Sequence, residues 1–204
     1  MLEKERRSFV RIDDYLIFDC KILTKKEYEK ERELFLKRPS AVEQIKFKYP
    51  FLPLGFTGES RKETETEPHT IEQMLLGLLV NLNEKVDTIL HLLGHADEEK
   101  ASLCLKTPCC VNIGGAGMRF MTQDKMKEGD FLKVNILLPL FPSFIITALA
   151  EVKRVKKVND FYEIAVSFTD IHEEDREALI HYIFMRQRKL IRMGREENNE
   201  QNLC

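Results

Sequence analysis

The sequence predicts a mainly β protein with helical additions, and three observations carry that prediction. Five runs of strand character crowd the stretch after Cys104, separated by short turn-like segments. A sixth, YLIFDCKIL (15–23), stands near the start, and strands at this spacing suggest a small barrel. Between them, residues 24–100 have helical character, with one stretch whose leucines recur in heptads.

Composition narrows the function classes. The 204 residues are 43% hydrophobic and 32% charged, which suits a soluble globular chain, and the net charge of −2 provides no global field for nucleic acid. The opening MLEKERRSFV is charged where a secretory signal would be apolar. The most apolar run, ILLPLFPSFIITALA (136–150), is interrupted by Pro139 and Pro142 and is shorter than the roughly 20 residues a membrane helix needs. The expectation is a cytoplasmic protein with no membrane span and no nucleic-acid partner. Cys20, Cys104, Cys109, Cys110 and Cys204 are odd in number and show no repeated C-x-x-C, so they read as small apolar residues with no redox or metal role. Cys109 and Cys110, adjacent on a strand, should face opposite sides of it.

Taken in order, the strand at 15–23 alternates, with Leu16, Phe18, Cys20 and Ile22 on one face. A helix follows at 24–38, opened by a Thr24-x-x-Glu27 capping box and closed by Pro39. YPFLPLGF (49–56) reads as an extended segment, and TGESRKETETEPHT (57–70) as a solvated linker. The strongest helix begins at Thr70, with Gln73 completing its cap, and Gly94 supplies the stop. Within it Leu75, Leu82 and Ile89 fall at heptad position d and Leu79, Val86 and Leu93 at a. Ile71, Leu78 and Leu92 at g, with Leu76 and Leu90 at e, make the apolar face wider than a two-stranded coiled coil requires. A homo-oligomer, with a tetramer favoured, is the expectation.

From Cys104 the strand candidates are LCLKTPCCVNI, GMRFMT, FLKVNILLPL, SFIITALAEVKRV and DFYEIAVSF. The last helix, after TDIHEEDREALIHYIFMRQRKLIRM begins, carries acids in its first turn and bases in its last, matching its dipole. Residues 194–204 are polar and expected to be a flexible tail.

The chemistry concentrates in two places. Residues 107–120 read TPCCVNIGGAGMRF, with Gly114, Gly115 and Gly117 directly after a strand. Glycines there permit a bulge, a tight turn, or close approach of a ligand to backbone N–H groups. The second place is RSFVR, Arg7 to Arg11, with Arg6 in front, just ahead of the first strand.

Together these resemble the PilZ domain family, receptors for the bacterial second messenger cyclic di-GMP. The family's R-x-x-x-R element matches RSFVR, and its [D/N]-x-[S/A]-x-x-G turn matches NIGGAG, Asn112 to Gly117. SFTDIHEEDREALIHYIFMRQRKLIR is similar to the family's last strand and closing helix. The resemblance implies a six-stranded antiparallel PilZ-like barrel on 1–23 and 101–193, with an inserted oligomerisation arm and linker on 24–100. It implies a cyclic di-GMP site formed by Arg6, Arg7, Arg11, Asn112, Gly114, Gly115 and Gly117, and an unidentified protein effector. Arginine suits such a ligand because it binds phosphate bidentately and stacks on or hydrogen-bonds to guanine. Two departures stand out: Gly114 replaces the family's Ser or Ala, and the insertion resembles that of an atypical group that tetramerises through a long heptad helix. Gly114→Ser should tighten binding if Gly114 has an ordinary negative φ, and should destabilise the turn if its φ is positive. The alternative is a structural oligomer or adaptor that binds no nucleotide and contacts motility or secretion machinery.

Other candidates are weaker. His91 and His95 lie i, i+4 but lack the Glu of H-E-x-x-H, and Gly94 breaks the helix between them, so no metal is expected. Arg186, Arg188, Lys189, Arg192 and Arg195 are read as a helix end matched to its dipole, more than as a partner surface. No nucleophile–base pair, Walker-type phosphate loop or carboxylate pair is recognisable, and no enzyme is expected.

Overall fold

The computed structural model describes residues 9–48, 106–140 and 143–201, together with Leu75, Leu79, Leu82, Lys85, Val86 and Leu103. Six strands form a closed antiparallel barrel: β1 (Arg11–Leu23), β2 (Cys109–Gly114), β3 (Gly117–Thr122), β4 (Phe131–Leu138), β5 (Phe144–Val158) and β6 (Phe161–Ile171). Their order around the barrel is β1-β2-β3-β6-β5-β4. Closure removes the exposed edges that would otherwise template aggregation. The barrel and its closing helix, α3 (Glu173–Gln201), are the architecture the sequence predicts.

The interior follows the alternation. Ile12 and Leu16 from β1 meet Val111 and Ile113 from β2, Met118 and Phe120 from β3, and Ile164 and Val166 from β6, all buried. Helix α3 closes the barrel with Ala178, Leu179, Tyr182 and Ile183, a buried set that recurs one turn on. From Phe184 its apolar residues are exposed, including Met185, Leu190, Ile191 and Met193. The helix continues through Gln201, past the point where the sequence suggests a frayed tail.

Two more helices, α1 (Lys25–Lys37) and α2 (Ala41–Lys48), are anchored to the barrel. The Thr24 capping box forms: the Thr24 N–H donates to Glu27 at 2.8 Å, and the Glu27 N–H donates back to Oγ1 at 3.4 Å. Tyr28 stacks on Phe131 with centroids 4.1 Å apart, Phe35 stacks on His172 at 4.3 Å, and Arg32 pairs with Asp170 at 3.1 Å. At the start of α2 the N–H groups of Ala41 and Val42 donate to the Asp175 carboxylate at 3.1 and 3.0 Å, an acid placed at a positive helix end. Burial nevertheless pushes the Asp175 pKa up.

This docking corrects the reading of β1. Ile22 is exposed, and Leu23 is buried with Phe35 and Leu149, because α1 covers the outer face at that end. The strand also begins four residues early, at Arg11, and β2 begins at Cys109. Leu103, placed at the start of that strand by sequence, is helical and fully buried. Cys109 and Cys110 are both exposed, Cys109 lying at the open start of β2. Leu75, Leu79, Leu82 and Val86 are helical and exposed, whereas Ile89, Leu93, the e and g residues and the linker lie outside the described residues.

Candidate functional site

Strand register builds a ladder of outward-facing side chains. Asp13 of β1 is opposite Asn112 of β2, Asn112 opposite Arg119 of β3, Arg119 opposite Ala165 of β6, and Ala165 opposite Arg154 of β5. Two residues along, Arg11, Gly114, Gly117 and Ser167 form the next row. Period-two alternation on β1, β2, β3 and β6 puts these residues on the face opposite the core, and a register shift in β5 brings Arg154 onto the same face. Arg11, Asn112, Arg119, Arg154 and Ala165 line a cleft of about 380 Å³ on this face.

The cleft joins the two sequence-distant elements. The Arg11 Nη1 donates to the Asn112 Oδ1 at 3.3 Å, and the Asn112 Nδ2 donates to the Asp13 carboxylate at 2.9 Å. The amide is thereby oriented, its oxygen toward the arginine and its nitrogen toward the acid. Its oxygen keeps a second lone pair for another donor. Arg6 and Arg7 lie outside the described residues.

Gly114, Gly115 and Gly117 are each pressed by protein. A Cβ on Gly114 would lie 2.8 Å from the Arg11 Cγ and 2.9 Å from the Val10 carbonyl oxygen. One on Gly115 would meet Phe9 at 2.9 Å and Ile180 of α3 at 3.0 Å. At Gly117, with φ +158°, it would lie 2.2 Å from the Val166 carbonyl oxygen. Gly114 does not occupy the left-handed region, yet Gly114→Ser meets the Val10 backbone and the stem of Arg11. The two-residue turn at Gly115–Ala116 is pinned to β6, where the Phe168 N–H donates to the Ala116 carbonyl at 3.0 Å.

Three residues along β1 from Arg11, on the inward face, lies a buried polar group that sequence reasoning missed. Asp14, inward-facing between Ile12 and Leu16, accepts two hydrogen bonds from Arg186 of α3, at 2.8 and 2.9 Å, and one from the Tyr182 hydroxyl. The Tyr15 N–H donates a fourth at 2.9 Å. Burial pushes the carboxyl up, but the donors from Arg186, Tyr182 and the Tyr15 backbone outweigh it and hold Asp14 below the usual range. Burial and the neighbouring carboxylate raise the Tyr182 pKa in turn. Arg186, grouped by sequence with the basic helix end, is thus committed to Asp14, while Arg188, Lys189 and Arg192 remain on the exposed side. An acid at the inward position of β1 was the available signal.

Among the described residues, no group of three or more His, Cys, Asp or Glu side chains is placed to hold a metal. His91 and His95 lie outside them. No described helix is long and apolar enough to cross a membrane.

Residues 87–185 match the PilZ domain family. No curated protein matches the chain. Among solved structures it is similar to a Xanthomonas campestris pathogenic protein, described as a tetrameric PilZ domain self-assembled via a helical bundle. That pair has 14% identity and a TM-score of 0.46 over 90% of this chain and 91% of the other. It is also similar to the Bacillus subtilis inhibitor of motility, at 23% identity and a TM-score of 0.37 over 40% of this chain and 42% of the other. The family match takes in β2 to β6 and the buried half of α3, and β1 completes their barrel by pairing with β2 and β4; the segment 87–185 is what this chain shares with the PilZ domain family.

Proposed function

We propose that the protein is a cytoplasmic receptor for cyclic di-GMP, acting by binding and not by catalysis, and that it passes the signal on through an oligomer to a protein effector. The observation that carries this reading is the 3.3 Å contact between Arg11 and Asn112. It joins the R-x-x-x-R element to the glycine turn across 101 residues of sequence, at the mouth of an arginine-lined cleft. The volume lies at the lower end of the about 300–1,000 Å³ common for small-molecule sites. Planar guanidiniums suit phosphate, and the oriented Asn112 amide beside Asp13 suits the N–H edge of guanine. Arg7, one turn or one bend from Arg11, and Arg6 complete the set, with Gly114, Gly115 and Gly117 keeping the turn close to Arg11.

Residues 71–93 are the oligomerisation arm in this reading, and a tetramer is favoured. Leu75, Leu79, Leu82 and Val86 support it, each helical and between 44% and 63% exposed. Four large apolar side chains in one heptad stripe form a surface that a soluble protein covers with a partner. Calorimetric titration of the full chain with cyclic di-GMP, beside Arg7→Ala and Arg11→Ala, tests the receptor reading. Saturable binding in the parent that both changes abolish supports it. An oligomer that takes up no nucleotide returns the protein to the adaptor reading.

A further inference from the structure

Arg119 and Arg154 belong to neither of the motifs above, yet they line the same cleft as Arg11 and Asn112. They flank Ala165 from opposite sides, on β3 and β5. Adjacent strands lie about 4.8 Å apart, so the two backbones stand roughly 10 Å from each other with only a methyl group between them. Both guanidiniums reach the same carboxylate: Glu163 accepts from Arg154 at 3.3 Å and pairs with Arg119 at 3.7 Å. Glu163 lies two residues along β6 from Ala165, on the same face, and its side chain is 22% exposed against 39% for Arg119 and 58% for Arg154.

The backbone is bent to create this arrangement. On β5 the inward set runs Ile146, Ala148, Ala150, Val152, and unbroken alternation would turn Arg154 into the core. The register with β6 shifts between Val152 and Arg154, leaving Lys153 as the extra residue. Arg154 therefore falls opposite Ala165 on the outer face, and Val155 packs against the core. Bulges re-aim side chains in this way and are common beside functional sites.

Resting on the reading of the cleft as a nucleotide site, we infer that Arg119 and Arg154 form a second phosphate-binding pole. Glu163 is the internal anion that holds this pole together when the cleft is empty. A cyclic dinucleotide carries its two phosphates on opposite sides of one ring. A site with Arg11 at one end and two arginines across Ala165 at the other matches that separation of charge, whereas a mononucleotide would engage one end alone. Exposed arginine–glutamate pairs are weak, so a phosphate can take the guanidiniums from Glu163 at little cost. With the nucleotide bound, the Glu163 carboxylate repels it.

The test is calorimetric titration of cyclic di-GMP into the full chain at two salt concentrations. It compares the parent with Arg11→Ala, Arg119→Ala, Arg154→Ala and Glu163→Gln. Arg154→Ala is the primary variant, because an exposed side chain leaves the melting temperature unchanged. Loss of a charge-assisted phosphate contact should weaken binding about tenfold or more. It should also reduce the sensitivity of affinity to salt, which a merely structural role would not. Arg119→Ala should behave alike. Glu163→Gln should tighten binding about threefold to tenfold by removing a repulsive charge; unchanged or weaker binding would contradict the role given to Glu163. If the parent binds and Arg11→Ala abolishes binding while both other arginine variants bind like the parent, the second pole is refuted and the receptor reading stands. If the parent itself binds nothing, both fall.

Discussion

Asp14 and Arg186, 172 positions apart, meet through two parallel hydrogen bonds of 2.8 and 2.9 Å that tie the closing helix to the first strand. The carboxylate side chain is 3% exposed and the guanidinium 32%. The pair lies three residues from Arg11, so the strand that presents the arginine also grips α3. Removing Asp14 would leave Arg186 and the Tyr182 hydroxyl without their acceptor.

Asp14→Ala is expected to destabilise the fold by about 2–3 kcal/mol, below the about 3–5 kcal/mol for a fully buried pair because Arg186 can turn to water. That corresponds to a fall in melting temperature of roughly 4–12 °C for a chain of this size. The folded Asp14 pKa is depressed, so its contribution is complete above the unfolded carboxylate value of about 3.9 and is lost as pH falls through the folded value. Urea denaturation should separate parent and variant most at pH 7, and the gap should narrow as pH falls below about 3.9. A gap that stays constant with pH would show that the charge is not what holds the helix.

Gly114→Ser is expected to destabilise the protein by about 1–3 kcal/mol, because its Cβ meets the Val10 carbonyl oxygen and the Arg11 stem. It should weaken nucleotide binding by displacing Arg11, reversing the gain that a family-like hydroxyl suggests from sequence. Gly117→Ala should be the worse change, since the 2.2 Å approach is to backbone on β6 that cannot swing aside. Differential scanning calorimetry checks both, and a parent-like melting temperature for Gly117→Ala would contradict the close packing of β3 on β6.

How far the sequence reaches depends on phase. The six strands and the closing helix were legible because alternation along each strand and the TDIHEEDR helix start are local signals. The approach of Arg11 to Asn112 was legible through the family resemblance. Arg154 was not, because the bulge at Lys153 inverts the alternation and nothing in KRVKK marks where the extra residue falls. Arg119 needed the register of β3 on both neighbours. The burial of Leu23 beside an exposed Ile22 was not legible, because α1 returns over the outer face, a tertiary event that period-two reasoning cannot contain. Asp14 was readable in principle, as a charged residue on the inward face, and Arg186 was hidden among other bases.

Leu82→Asp, in the middle of the exposed stripe, is expected to dissociate the proposed oligomer, since a carboxylate buried without a partner is strongly disfavoured. The barrel has its own core and should keep its melting temperature. Light scattering decides this: a parent that is already monomeric would remove the arm's proposed role.

The receptor reading stands or falls on one titration, cyclic di-GMP into the full chain with Arg11→Ala alongside. The account predicts saturable binding by the parent and a loss of at least about tenfold in the variant, with circular dichroism unchanged, as removal of a charge-assisted phosphate contact requires. Equal affinity in parent and variant, or no uptake of nucleotide by the parent, would contradict it.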